Sequence, residues 1–364
     1  GSFMGTTANG VQFGERGVFS TTNLEAPALL TVNPSALFFN QINAQASIQN
    51  NSVAPAQQSP SGADAPGLRV TDGKSLLLLG GNINMDGGGL NAYGGRIELG
   101  GLTEPGTVAL DIKNGYNFQL RFPENVKRRD VSLTNGAGIN VAADAGGGIV
   151  VNARNLEMRG RSFLNAGIGP GLGSDNSKGG NIDVNATGIV KLSNSNIFNH
   201  LQVEARGQAG DVNIITNTLL VQDGAKINAD TYGEGKGGDL NVNAQDVQLF
   251  GTNEDGKVPT GLSASAYATG NGGNLTLSTD KLLVKDGAKV STDTHGRGKG
   301  GDLTVNAQDT QQSGISKNSR YASGLTATTY RSKGDGGNLT LSTNKLFIQD
   351  GAQVSADTFG EGKG

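Results

Sequence analysis

Gly237-Gly238-Asp239-Leu240-Asn241-Val242-Asn243-Ala244-Gln245-Asp246 is written again, nearly letter for letter, as Gly300-Gly301-Asp302-Leu303-Thr304-Val305-Asn306-Ala307-Gln308-Asp309. Between them lies Gly272-Gly273-Asn274-Leu275-Thr276-Leu277-Ser278-Thr279, which returns as Gly336-Gly337-Asn338-Leu339-Thr340-Leu341-Ser342-Thr343. The shifts are 63 residues (302 − 239) and 64 (338 − 274). A fixed period of this length marks a solenoid, whose repeats bury their apolar faces only against their neighbours.

Weaker starts of the same kind are Gly180-Asn181-Ile182 and Gly210-Asp211-Val212. The six Asx positions (181, 211, 239, 274, 302 and 338) are separated by 30, 28, 35, 28 and 36 residues. Each gap reads as one coil of a right-handed parallel β-helix, an all-β fold with almost no helix. The longer coils carry inserts near Thr252–Pro259 and Ile315–Ala322. Within a coil, Asn274–Thr279 reads as one strand, Leu282–Lys285 as a second and Ala288–Thr292 as a third, with Asp286-Gly287 and Gly296–Gly300 as corners. Alternation points Leu275, Leu277, Leu283 and Val290 inward. Coils ~4.8 Å apart, roughly 13 of them, would make a rod on the order of 60 Å long.

Composition agrees. Of 364 residues 59 are glycine, aromatics are 5% and tryptophan is absent, so the chain suits a narrow stack better than a globular core. No cysteine is present, which rules out disulfides, thiol nucleophiles and thiolate metal sites. A net charge of −3, from 29 basic and 32 acidic residues, gives no footprint for nucleic acid. The one basic run, Lys127-Arg128-Arg129, reads as a solvated loop. No apolar run is long enough to span a membrane as a helix. The last residues, Gly360–Gly364, repeat Gly233–Gly237 without the Gly-Asp-Leu that follows there, as a repeat cut short would.

Residues 1–42 read as short strands (Val11–Phe13, Gly17–Ser20, Ala28–Val32, Ala36–Phe39), and 43–67 mostly as an exposed loop. Asn114-Gly115 between Val108–Ile112 and Phe118–Phe122 predicts a hairpin standing off the stack. Three segments follow: 1–110, 111–178 with that hairpin, and 179–364, the repeats of about 63 residues with two coils each.

Several blocks resemble the secretion domain of filamentous-haemagglutinin-like exoproteins. They are Gly1–Gly14, Leu29–Asn40, Ser75–Asn82, Asp86–Leu90 and Gly94–Leu102. The later Gly-Asp-Leu and Asp-Gly-Ala repeats resemble the stalks of the same proteins. The resemblance implies two-partner secretion from a Gram-negative bacterium, through an outer-membrane β-barrel transporter that recognises the N-terminal domain. It implies a secreted or cell-surface adhesin, with a cell-surface or glycan ligand. The family's Asn-Pro-Asn motifs would lie upstream of Gly1, making residues 1–110 the rear of the secretion domain.

Candidate chemistry is sparse, and the expectation is no catalytic, cofactor-binding or metal-binding residue, no cofactor and no enzyme. Asp223, Asp286 and Asp350 share a column at alternate coils ~10 Å apart, near the spacing of an inverting glycosidase pair, yet each sits in an Asp-Gly-Ala corner. The mixed Asp/Asn column allows an amide ladder. His295 follows Asp-Thr as Tyr232 and Phe359 do, which reads as ring stacking, while His200 has no matching partner. Gly296–Asp302 lacks the Ser/Thr of a phosphate loop and the order of a calcium nonapeptide. The alternative function, a polysaccharide-acting lyase or hydrolase, would draw on Arg154, Glu157, Arg159 and Arg161.

Overall fold

Close backbone approach explains the glycines that open each coil. A Cβ on Gly238, Gly273, Gly301 or Gly337 would stand 2.0 Å or less from the carbonyl oxygen of the matching glycine one coil before. The Asx that follows fixes the next step. Its side-chain oxygen accepts the backbone N–H of the equivalent residue one coil on. Asn181 accepts from Asp211 (2.9 Å), Asp211 from Asp239 (2.9 Å) and Asp239 from Asn274 (2.8 Å). Asn274 then accepts from Asp302 (3.0 Å), and Asp302 from Asn338 (2.8 Å). One acceptor oxygen suffices, so Asp and Asn interchange; bonding from side chain to backbone, not an amide ladder, holds most of the column.

The structure is a computed structural model that describes residues 1–21, 33–55, 58–113, 117–123, 126–330 and 333–363. It is a parallel β-helix. From Val212 on, each coil contributes one 11-residue strand to the largest sheet: Val212–Gln222, Leu240–Phe250, Leu275–Lys285, Leu303–Ser313 and Leu339–Gln349. Their parallel register matches the Asx gaps. Earlier coils follow the same path with two strands. Ser75–Gly80, Arg96–Gly101, Gly148–Ala153 and Ile182–Ala186 form one run; Ile83–Asp86, Val131–Thr134, Leu156–Arg159 and Ile189–Ser193 form the other. A second face stacks ten short strands, Leu68–Arg69 to Gln353–Ser355. Ten rungs, not thirteen, span about 43 Å at ~4.8 Å per step.

The missing coils are chain spent on another sheet. Asn117–Arg121, Gly106–Lys113, Ala36–Phe39, Gly10–Gln12 and Val18–Ser20 lie side by side, antiparallel throughout. This sheet does not stand off the stack. It packs on Ser75–Gly80, where Leu76 and Leu78 face the coil interior, and Leu77 and Leu79 join Leu37, Phe39, Val108 and Leu110 outside. A strand buried on both faces reads as four successive leucines. A Cβ on Gly100 would lie 2.3 Å from Phe122 Cζ, so the ring needs that glycine. Arg128 is half-buried beside this sheet, over the Phe122 ring and bonded to the Asn185 carbonyl (2.9 Å), not in a solvated loop. The turn of the hairpin and Ala28–Val32 lie outside the described residues. Within 43–67, Ile48–Asn50 is a strand on Ile83–Asp86, preceded by the helix Gln41–Gln45.

The interior is one continuous column of Leu, Ile, Val and Ala. Leu275, Leu277 and Val290 face it as expected, but Leu283 points outward, between inward Leu282 and Val284. The long strand bends at Thr279–Lys281, where Thr279 Oγ1 donates to the Lys281 carbonyl (2.9 Å). The bend consumes one residue and resets the alternation.

Candidate functional surfaces

One corner alternates between two forms. In three coils it is Asp-Gly, with Asp223, Asp286 and Asp350 at φ of 58°, 56° and 53° and glycine next at positive φ. Asp tolerates this left-handed turn and glycine favours it, so the column is turn chemistry. In the coils between, the corner grows into a hairpin, closed by the antiparallel bridges Thr252↔Pro259 and Ile315↔Ala322. The two forms interlock: Gly224 N–H donates to Thr260 Oγ1, and Gly287 N–H to Ser323 Oγ, each at 2.9 Å. The hairpins also reach each other across the intervening coil. Asn318 Nδ2 donates to the Gly256 carbonyl (2.8 Å), and Tyr321 O–H to that of Lys257 (2.7 Å).

The next corner carries a ladder of rings. Tyr232, Tyr267, His295 and Tyr330 stack 4.7–4.9 Å apart, within 8° of parallel. Phe359 extends the ladder at one end. His200 and Phe198 extend it at the other, so His200 does have a partner: its ring lies 5.3 Å from Tyr232. Sequence reading missed Tyr267 and Tyr330; Tyr267 lies five residues before the next Gly-Gly, as Tyr232 and His295 do, and Tyr330 six. Burial lowers the proton affinity of both histidines and raises that of the Tyr232 and Tyr267 hydroxyls. Rings that lose polarity in this way serve packing, at ~1 kcal/mol per pair. Behind them Asp230 accepts from Ser265 N–H (2.8 Å) and Ser263 Oγ (2.9 Å), and Asp293 from Thr328 N–H (2.9 Å). Carboxylate alternates with hydroxyl along this column, keeping like charges two coils apart.

The residues considered for catalysis do not converge. Arg154 forks onto Asp130 (2.8 and 2.6 Å) and holds its carboxyl below the usual range; Glu157 pairs with Lys191 (3.9 Å). Arg159 and Arg161 are exposed. In Gly296–Asp302, Cβ atoms on Gly296 and Gly298 would meet backbone oxygens at 1.9 Å, and Lys299 N–H bonds to Asn271 Oδ1 (2.8 Å). Those glycines serve coil contact. Among the described residues, no three His, Asp or Glu side chains gather to hold a metal ion.

One buried acid ties the outer sheet down. Glu98 is 1% exposed and accepts from Arg96 Nε (3.2 Å), Leu120 N–H (3.1 Å) and Asn152 Nδ2 (3.1 Å). Burial raises its proton affinity against the pull of Arg96. Every strand of the outer sheet and Glu98 itself lie before residue 158.

That range matters, because a family model covers it. Residues 1–158 match the TPS secretion domain. The match spans the outer sheet and the coils it packs on. It is consistent with a two-partner secretion exoprotein, and the TPS domain implies a cognate outer-membrane transporter and a secreted protein of Gram-negative bacteria. No curated protein and no solved structure matches the chain.

Proposed function

We propose that this exoprotein is an adhesin, in which the coils of residues 179–364 form a stiff stalk and the paired hairpins at 252–259 and 315–322 meet the target surface. The observation that carries this reading is the corner that alternates. The Asx, ring and carboxylate–hydroxyl columns are held from coil to coil, whereas the hairpins vary in sequence and expose Lys257 and Arg320. Their mutual hydrogen bonds make them one platform instead of two independent loops. The stretch 43–67 is a lesser candidate, since part of it is strand. The enzyme alternative gains no support from Arg154 and Glu157, which pair with Asp130 and Lys191, or from Arg159 and Arg161, which are exposed and do not converge with them.

The test replaces both hairpins with Asp-Gly corners and compares adhesion of bacteria displaying each chain. Adhesion should fall at least roughly tenfold, as expected when central contacts carry most of the binding energy, with secretion unchanged. Unchanged adhesion at equal display would sink the assignment.

A further inference from the structure

The long strands bend outward at a third corner, away from both the hairpins and the rings. Three residues of each of five successive coils, from Ile215–Asn217 to Ser342–Asn344, line one groove of about 640 Å³ parallel to the axis. One rim is Asn243, Ser278, Asn306 and Ser342, directly in register. The other is Gln245, Asp280, Gln308 and Asn344. The floor alternates Ala244 and Ala307 with Thr216, Thr279 and Thr343, whose hydroxyls donate to backbone carbonyls. The floor therefore offers carbon, and the rims offer amides and hydroxyls.

Which ligand suits this lining follows by elimination. No cation lines the groove, and the one carboxylate, Asp280, already accepts from Gln308 Nε2 (3.0 Å). A polyanion finds no counter-charge. An apolar helix finds no large apolar side chain beyond Ile215 at one end. An added β-strand finds no open edge, because the backbone here is paired on both sides in the inner coils. By contrast, Asn243, Gln245, Ser278, Asn306, Ser342 and Asn344 make no side-chain hydrogen bond within the described protein, and they recur every ~4.8 Å. An extended β-linked pyranose chain advances by nearly that step per ring, carries hydroxyls along both edges and shows C–H groups on its faces.

We propose that this groove binds an uncharged, extended β-linked polysaccharide, one ring per coil over five coils, and does not cleave it. With one carboxylate in the groove there is no acid–base pair to hydrolyse the bound chain. The absence of aromatic platforms makes each ring's contribution small, so affinity accrues with length.

The experiment is calorimetric titration of the full chain with cello-, manno- and xylo-oligosaccharides of two to eight rings. Oligogalacturonate serves as the charged control and malto-oligosaccharides as the helical one. Affinity for at least one β-linked series should climb with each ring and level off at about five, with both controls at least roughly tenfold weaker. The double substitution Asn243→Ala and Asn306→Ala should weaken binding by roughly tenfold or more. The control Asn241→Ala, outside the groove, and replacement of both hairpins should leave binding unchanged, which separates this site from the adhesive platform. Absence of binding in all three series, or binding indifferent to length or to the double substitution, would overturn the proposal. Equal binding of a control would do so too.

Discussion

Glu98 shows how much a single side chain can couple two parts of this molecule. It lies between a β-helix strand and the outer sheet, and it is partnered from both sides, by Asn152 Nδ2 and by the Leu120 N–H. Burial nevertheless raises its proton affinity, so in the window above the ordinary carboxylate range the native chain holds more protons than the unfolded one. Stability is then greatest below the ordinary value and falls as pH rises through the raised one. Asp293, also raised by burial, adds a slope of the same sign. In Glu98→Gln the denaturation midpoint should fall less, or rise more, than that of the wild type as pH increases from about 4 to 8, over a background in which Asp293 contributes a slope of the same sign as Glu98 and the lowered His200 and His295 one of the opposite sign. A variant with the wild-type slope would show that Glu98 is not the group responsible.

At the scale of elements, the long strands of the C-terminal coils are nearly uniform, and the exception tells the most. In Leu303–Ser313 the inward positions after the bend are Thr310 and Gln312, where the neighbouring coils have Leu282 and Val284 on one side and Leu346 and Ile348 on the other. Gln312 is fully buried with neither amide atom bonded. An unsatisfied buried amide costs about 2 kcal/mol, so Gln312→Leu should raise the stability of this coil by about that much. Hydrogen exchange of the Leu303–Ser313 amides, compared with wild type, measures it; no gain in protection would mean the amide finds a partner. Much of this architecture was legible from residue spacing. The Asx gaps gave the coils, and the corners and inserts followed from where the gaps lengthened. Leu283 was misread because alternation carries no mark of a bend that costs one residue. The outer sheet was half visible, since Asn-Gly signals a hairpin and says nothing of what it packs on. The four leucines from 76 to 79 were the available sign that Ser75–Gly80 is covered twice. The rim of the groove was invisible for another reason: Asn and Ser in a strand read as solvated positions, and only the register aligns them.

For the whole molecule, the alternation between coils matters more than their number. From Val212 on, three columns switch from coil to coil: Asp-Gly corner against hairpin, buried carboxylate against hydroxyl, and Asp246, Lys281, Asp309 and Lys345 in register along the large sheet. Removing residues 239–301, two coils, rejoins Gly238 to Asp302 with every column in step. Removing 239–273, one coil, sets Thr218 beside Lys281 and puts the Asp223 and Asp286 corners together, with no Thr260 hydroxyl between. Melting should place the two-coil deletion close to the parent and the one-coil deletion well below it; equal losses would show the columns to be independent of phase. The stack thus obeys a parity rule. Its true monomer is the pair, and a lineage of such chains can lengthen or shorten without repair only by even steps.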